Sequence, residues 1–151
     1  MSDKSWGRDV WVFLHTIVSK LRSEHFDDHH KTIIDYIFKI CSVLPCPECT
    51  KHSMEFLQTV HFKNVKSCED IIEIIYVFHN QVNKNTHKKE FPVESLSVYK
   101  NMDMNRVFVS FSNTYNKRVP PLLMGQSSRR RKLTNELKEY LEKNKEIYDY
   151  K

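Results

Sequence analysis

Helix breakers are scarce in this 151-residue chain and crowd into a few places: Gly7 and Gly125, then Pro45, Pro47, Pro92, Pro120 and Pro121. Stretches 1–44 and 48–91 are nearly free of them, which favours long helices. The same shortage excludes a glycine-rich phosphate cradle of the Rossmann or P-loop kind. The length allows one buried core with an appendage. No apolar run reaches the roughly 18–20 residues that cross a bilayer. The opening Met1-Ser2-Asp3-Lys4 leads straight into an amphipathic pattern, so no signal peptide is expected. Net charge is +5, and much of it comes from Arg129-Arg130-Arg131-Lys132.

The apolar spacing predicts an all-α fold. Val10, Trp11, Leu14, Val18 and Leu21 make a helical stripe over 5–22, and Ile33, Ile37, Ile40 or Cys41, and Leu44 repeat it over 30–44. A shorter helix over 47–59 turns Met54 and Leu57 inward. Ser67 with Asp70 reads as an N-cap. It opens a helix through Ile71, Ile72, Ile74, Ile75, Val77, Phe78 and Val82, apolar almost all round and so expected at the centre of a bundle. A short helix near 94–102 closes the unit. Val107–Phe111 suits strand or helix. Val119-Pro120-Pro121 reads as a connector, 126–131 as a polar basic loop, and 132–147 as a charged helix with Leu133, Leu137, Leu141 and Ile147 on one side. For the basic run, a solvated linker is a simpler reading than a nucleic-acid surface.

Cys46-Pro47-Glu48-Cys49 is the chemical centre of the chain. Pro45 discourages helix before it, and Pro47 suits a first helical position. Cys46 then becomes the N-cap, where orphan N–H groups and the helix dipole favour thiolate over thiol. A disulfide that forms and breaks repeatedly needs that. Four cysteines are too few and too unevenly spaced for a secreted disulfide framework. The rival reading is a zinc-stabilised helical binding module without catalysis, using Cys41, Cys46, Cys49 and His52. Structural zinc usually clamps two separated ligand pairs, whereas these four share one helix end, so no metal is expected. A thioredoxin-like motif needs a preceding strand that the helical flanks deny.

Two further constellations stand out. Gly7, Trp11 and His15 fall at i, i+4 and i+8 on one helix face. Gly inside a helix costs about 1 kcal/mol against Ala, and close approach of a flat ligand would account for it; core packing of a Trp with a satisfied His is the alternative. His79 and Asn83 share a face late in an apolar helix and must find partners, either in a buried network or on a polar ligand edge.

Trp6-Gly-Arg-x-x-Trp11-x-x-Leu-His15, Leu44-Pro-Cys46-x-x-Cys49 and His79-Asn-x-Val-Asn83, in this order and spacing, resemble the FAD-linked sulfhydryl oxidases of the Erv/ALR class. The resemblance covers about residues 5–102. With Lys88-Lys89 and Ser97-x-Tyr99-Lys100, it is nearest the branch of large DNA viruses.

That resemblance implies a four-helix bundle plus a short fifth helix enclosing FAD and usually dimeric. It divides the chain into an FAD-binding sulfhydryl oxidase domain, 1–102, and a C-terminal extension, 103–151. By position, Gly7, Arg8, Trp11, His15, Cys49, His79, Asn80, Val82 and Asn83 would line FAD, with Lys88, Tyr99 and Lys100 at its phosphates and rim. Cys46 would accept attack by a substrate thiolate and Cys49 would face the flavin, electrons ending on oxygen as hydrogen peroxide. No shuttle dithiol is present, so the expected partner is a thiol-containing protein or a small dithiol redox protein, met in the virion or host cytoplasm if the chain is viral. The family's usual structural disulfide bracketing the fourth helix has no counterpart, since Tyr76 stands where its second cysteine would be expected, and its Leu-Gly after the third motif reads Thr86-His87. Cys41 and Cys68 are either buried thiols or a pair.

Overall fold

A computed structural model describes residues 5–117 and 124–148. Its helices are α1 (Ser5–Lys20), α2 (Phe26–Cys41), α3 (Pro47–Gln58), α4 (Cys68–Asn85), α5 (Met104–Tyr115), α6 (Met124–Lys143) and α7 (Lys145–Tyr148). A 3-10 segment, Val93–Asn101, links α4 to α5, and shorter 3-10 turns occupy Ser23–His25 and Phe62–Asn64. No strand occurs among the described residues, and none of their helices is long and apolar enough to cross a membrane. The opening tetrapeptide and the Val119-Pro120-Pro121 connector lie outside the described residues.

Local chemistry sets the starts of α3, α4 and α5. Ser67 Oγ accepts from Asp70 N–H, and the Asp70 carboxylate accepts from Ser67 N–H at 3.2 Å, a reciprocal cap that satisfies two orphan donors. Asp103 accepts from Asn105 and Arg106 N–H at 2.9 and 3.2 Å. Helix α5 resolves the ambiguity of Val107–Phe111: Val107, Phe108, Phe111 and Tyr115 are buried at helical spacing, and Phe111 stacks on Phe13 of α1 at 4.5 Å.

Three expectations need correction. α4 is not apolar all round: Ile71, Ile75 and Phe78 are buried but Val77 is 47% exposed, so the helix has an inner and an outer face. α2 begins at Phe26, a turn earlier than its stripe suggests. Residues 126–131 are helical, within α6, rather than a loop. Arg130 explains why: its side chain is 1% exposed, so this basic run is anchored into the molecule and is not simply solvated.

Leu14 and Ile17 of α1, Ile33 and Ile40 of α2, Leu57 of α3 and Ile71 of α4 share one apolar core with Phe111, Leu137 and Ile147. The core therefore continues past residue 102 into α5, α6 and α7.

Candidate redox and cofactor site

The dithiol lies where α2 turns into α3. Cys46 is the N-cap, in extended backbone conformation with Pro47 in the first turn, and its Sγ accepts from Cys49 N–H at 3.2 Å. Cys46 and Cys49 are joined as a disulfide, their Cα atoms 5.2 Å apart. Leu44 N–H donates to Thr50 Oγ1 at 3.1 Å, tying the turn before the pair to α3. Both cysteines are half-buried, and Cys49 packs against the apolar core. Cys41 and Cys68 are buried free thiols and do not pair. Burial pushes the Cys41 thiol up to about 12, and raises Cys68 with help from the Glu69 charge; neither is poised to react. No cluster of three or more metal-ligating groups occurs among the described residues.

A cavity of about 380 Å³ opens between the start of α1, the end of α4 and the segment beyond it. Gly7, Arg8, Trp11, His79, Val82 and Asn83 line it, with Lys88 and Tyr99 on the third side. Gly7 is buried in this wall, where a Cβ would take up cavity space. Trp11 and His79 stack at 4.2 Å with planes 8° apart.

Four of the residues anticipated for the site are not among those lining this cavity. His15 is fully buried behind the wall, stacked on Tyr99 at 4.7 Å and Phe91 at 5.1 Å. Asn80 turns to the Phe91 backbone: its amide donates to Phe91 O at 3.1 Å, and its carbonyl accepts from Phe91 N–H at 2.7 Å. Lys100 is exposed, and its backbone carbonyl accepts from Lys20 Nζ at 3.1 Å. Cys49 is not part of the lining. Two lining residues, Val12 and Phe91, escaped the sequence reading. Val12 is one helical turn from Arg8, which is a usable signal. Phe91 was legible only as a lone aromatic ending a polar run.

His15 Nε2 and His79 Nδ1 are 2.9 Å apart. Burial, then the neighbouring His79, lowers His15 to about 3; burial, then the Lys88 charge, lowers His79 to about 4. Both rings are therefore neutral near pH 7, and one N–H joins them. His15 Nδ1 is buried without a partner. Placing the shared proton on His15 Nε2 leaves Nδ1 a bare lone pair instead of a stranded donor, the cheaper orphan. His79 Nε2 then carries a proton.

The residues fit a flavin dinucleotide. Stacked planar side chains suit ring systems, a buried glycine admits close approach, and Arg8 and Lys88 suit a diphosphate.

The model of the Erv1 / Alr family matches residues 8–104. A probable FAD-linked sulfhydryl oxidase of Fowlpox virus is 27% identical over 100 residues, 66% of this chain and 98% of that protein. One of Vaccinia virus (strain Western Reserve) is 26% identical, over 65% of this chain and 97% of its own. An FAD-linked sulfhydryl oxidase of Arabidopsis thaliana is 28% identical over 58% of this chain but only 46% of its own length. No solved structure matches. Matched over residues 8–104, which include the dithiol, the chain belongs to the Erv1/Alr family.

Proposed function

We propose that this protein is an FAD-linked sulfhydryl oxidase, forming disulfides in thiol substrates, with Cys46 and Cys49 as its redox pair. The observation that carries the reading is the Cys46–Cys49 disulfide at a helix N-terminus in a chain of this family. The overall reaction is dithiol plus oxygen giving disulfide plus hydrogen peroxide. FAD, when bound, supplies acceptance of an electron pair and its transfer to oxygen.

The chain's own residues account for the thiol chemistry. A substrate thiolate attacks Cys46 Sγ, forming a mixed disulfide and releasing Cys49 as thiolate at the third position of α3, where the helix dipole stabilises it. The substrate's second thiolate then attacks its own bonded sulfur and expels Cys46. Cys49 N–H, already aimed at Cys46 Sγ, stabilises that leaving thiolate. Substrate leaves oxidised, and the pair holds the two electrons.

Trp11, Val82, Asn83 and Gly7 would hold the ring systems, and Arg8 and Lys88 the diphosphate. His79 Nε2–H would donate to the ligand, with His15 fixing its tautomer from behind. Neither histidine acts as acid or base here: both stay neutral well below pH 7. Asn80 serves indirectly, by fastening Phe91.

A thiol-bearing protein or small dithiol redox protein is the proposed partner, in the virion or host cytoplasm, as the viral relatives suggest. A homodimer belongs to the same proposal on family grounds. Val77, Val93, Val98 and Val109 are the large apolar side chains exposed among the described residues and available to it; sedimentation velocity tests it.

Purified protein should be yellow, release FAD on denaturation and consume oxygen with dithiothreitol. Cys49→Ser should keep the colour and lose the activity; a colourless preparation holding zinc at the dithiol would overturn the reading.

A further inference from the structure

Two helix ends of opposite sign meet at the turn that carries the dithiol. The N-terminus of α3 puts positive partial charge at Cys46, while α2 ends at Cys41 and its last carbonyls put negative partial charge beside the same turn. Unopposed, the second would disfavour the thiolate that the first favours. Neither the end of α2 nor the turn that follows it is left to water. Tyr115 of α5 donates its hydroxyl to Ile40 O at 2.8 Å. Arg130 of α6 donates from Nη1 to Val43 O at 3.2 Å, three residues before Cys46. The guanidinium also donates from Nη2 to Ser127 Oγ at 3.2 Å and lies 5.9 Å from the Tyr115 ring centre.

Burying a cation almost completely is costly, and Arg130 is 1% exposed. Its partners here are neutral oxygens and an aromatic face. Such a cation gains most beside the negative end of a dipole, and Val43, its backbone acceptor, lies two residues beyond the last residue of α2. Tyr115 and Arg130 both fall outside the residues that match the family model, so this brace is carried by the chain's own extension.

We infer that Arg130, braced by Tyr115, is a positioning residue for the Cys46–Cys49 couple. It fastens the 40–43 turn and offsets the negative end of α2, so that reduced Cys46 is held as thiolate. The inference rests on the reading of Cys46 and Cys49 as the redox pair. The sign follows: removing the cation destabilises the thiolate, hence the reduced state, and makes the disulfide harder to reduce.

The test equilibrates the FAD-loaded full chain, under anaerobic conditions, with mixtures of reduced and oxidised dithiothreitol. The oxidised fraction of Cys46–Cys49 is then read by alkylation and mass spectrometry. The alkylation rate of reduced Cys46 by iodoacetamide is measured at one neutral pH. Arg130→Met should shift the equilibrium toward the disulfide by about tenfold, about 30 mV for a two-electron couple, and slow alkylation comparably. Arg130→Lys keeps the charge and should recover most of both; Tyr115→Phe should shift the same way by less. A folded Arg130→Met with wild-type equilibrium and alkylation overturns the inference, even if its stability falls, because that is a structural role alone. If Arg130→Met does not fold, Tyr115→Phe decides: a shift toward the disulfide supports the inference and none overturns it. Neither readout uses oxygen, so a wild-type protein that fails to turn over is seen separately.

Discussion

His87 holds φ at 59°, the left-handed region, and stands where the family resemblance expects glycine. It closes α4: Lys88 N–H donates to Asn83 O at 2.8 Å and His87 N–H to Lys84 O at 3.3 Å, the paired bonds of a Schellman end. Glycine takes that conformation without a Cβ penalty. His87→Gly should therefore stabilise the protein by about 1 kcal/mol in urea denaturation; a loss would show that the imidazole contributes contacts that outweigh the backbone cost. The His15–His79 pair makes a second residue-level prediction. Both folded values, about 3 and about 4, lie below the unfolded 6.5. Between those limits the unfolded chain binds more protons, so the pair's contribution is intact above pH 6.5 and is lost as pH falls toward 4. Unfolding measured from pH 7.5 to 4.5 should show this slope in the wild type. It should be reduced in His79→Gln, and an equal slope in both would refute the assignment.

Between elements, short-range chemistry was legible and long-range packing was not. Ser67 with Asp70, and Pro47 after Cys46, announce α4 and α3 because caps need only neighbours in sequence. Val107–Phe111 could not be settled locally, since β-branched and aromatic residues suit either state; contact with Phe13 decides it. Residues 126–131 look like a loop because a polar run gives no sign that Arg130 will reach Val43. In the site, Gly7, Trp11 and His79 came from spacing on helices. Phe91 did not, because Asn80 places it from eleven residues away. That clasp fastens the segment beyond α4 over the cavity. Asn80→Ala should raise the dissociation constant for FAD by tenfold or more, at about 1 kcal/mol for each hydrogen bond lost, and leave the Cys46–Cys49 disulfide intact. Equilibrium dialysis checks it; unchanged retention would mean the segment stays in place by packing alone.

Across the whole molecule, one core joins the family-matched helices to the extension. Phe111, Tyr115, Leu137 and Ile147 are each 0% exposed and belong to the same cluster as Leu14 and Ile33. Truncation after residue 102 would uncover the α1 face that α5 covers, and burying a large apolar side chain is worth about 1.5–3 kcal/mol. The truncated chain should fail to unfold cooperatively, while the full chain shows one transition by both circular dichroism and tryptophan fluorescence. A truncated form with a sharp transition of its own would make 1–102 an independent unit. The proposed site adds a requirement on this scale: electrons would have to pass from the turn between α2 and α3 to a cofactor in the cavity that α1 and α4 line. Anaerobic titration with dithiothreitol tests that directly. Wild-type protein should lose its blue flavin absorption as the dithiol is added, and FAD-loaded Cys49→Ser should keep it; bleaching of the Ser variant at the wild-type rate would contradict a route through Cys49.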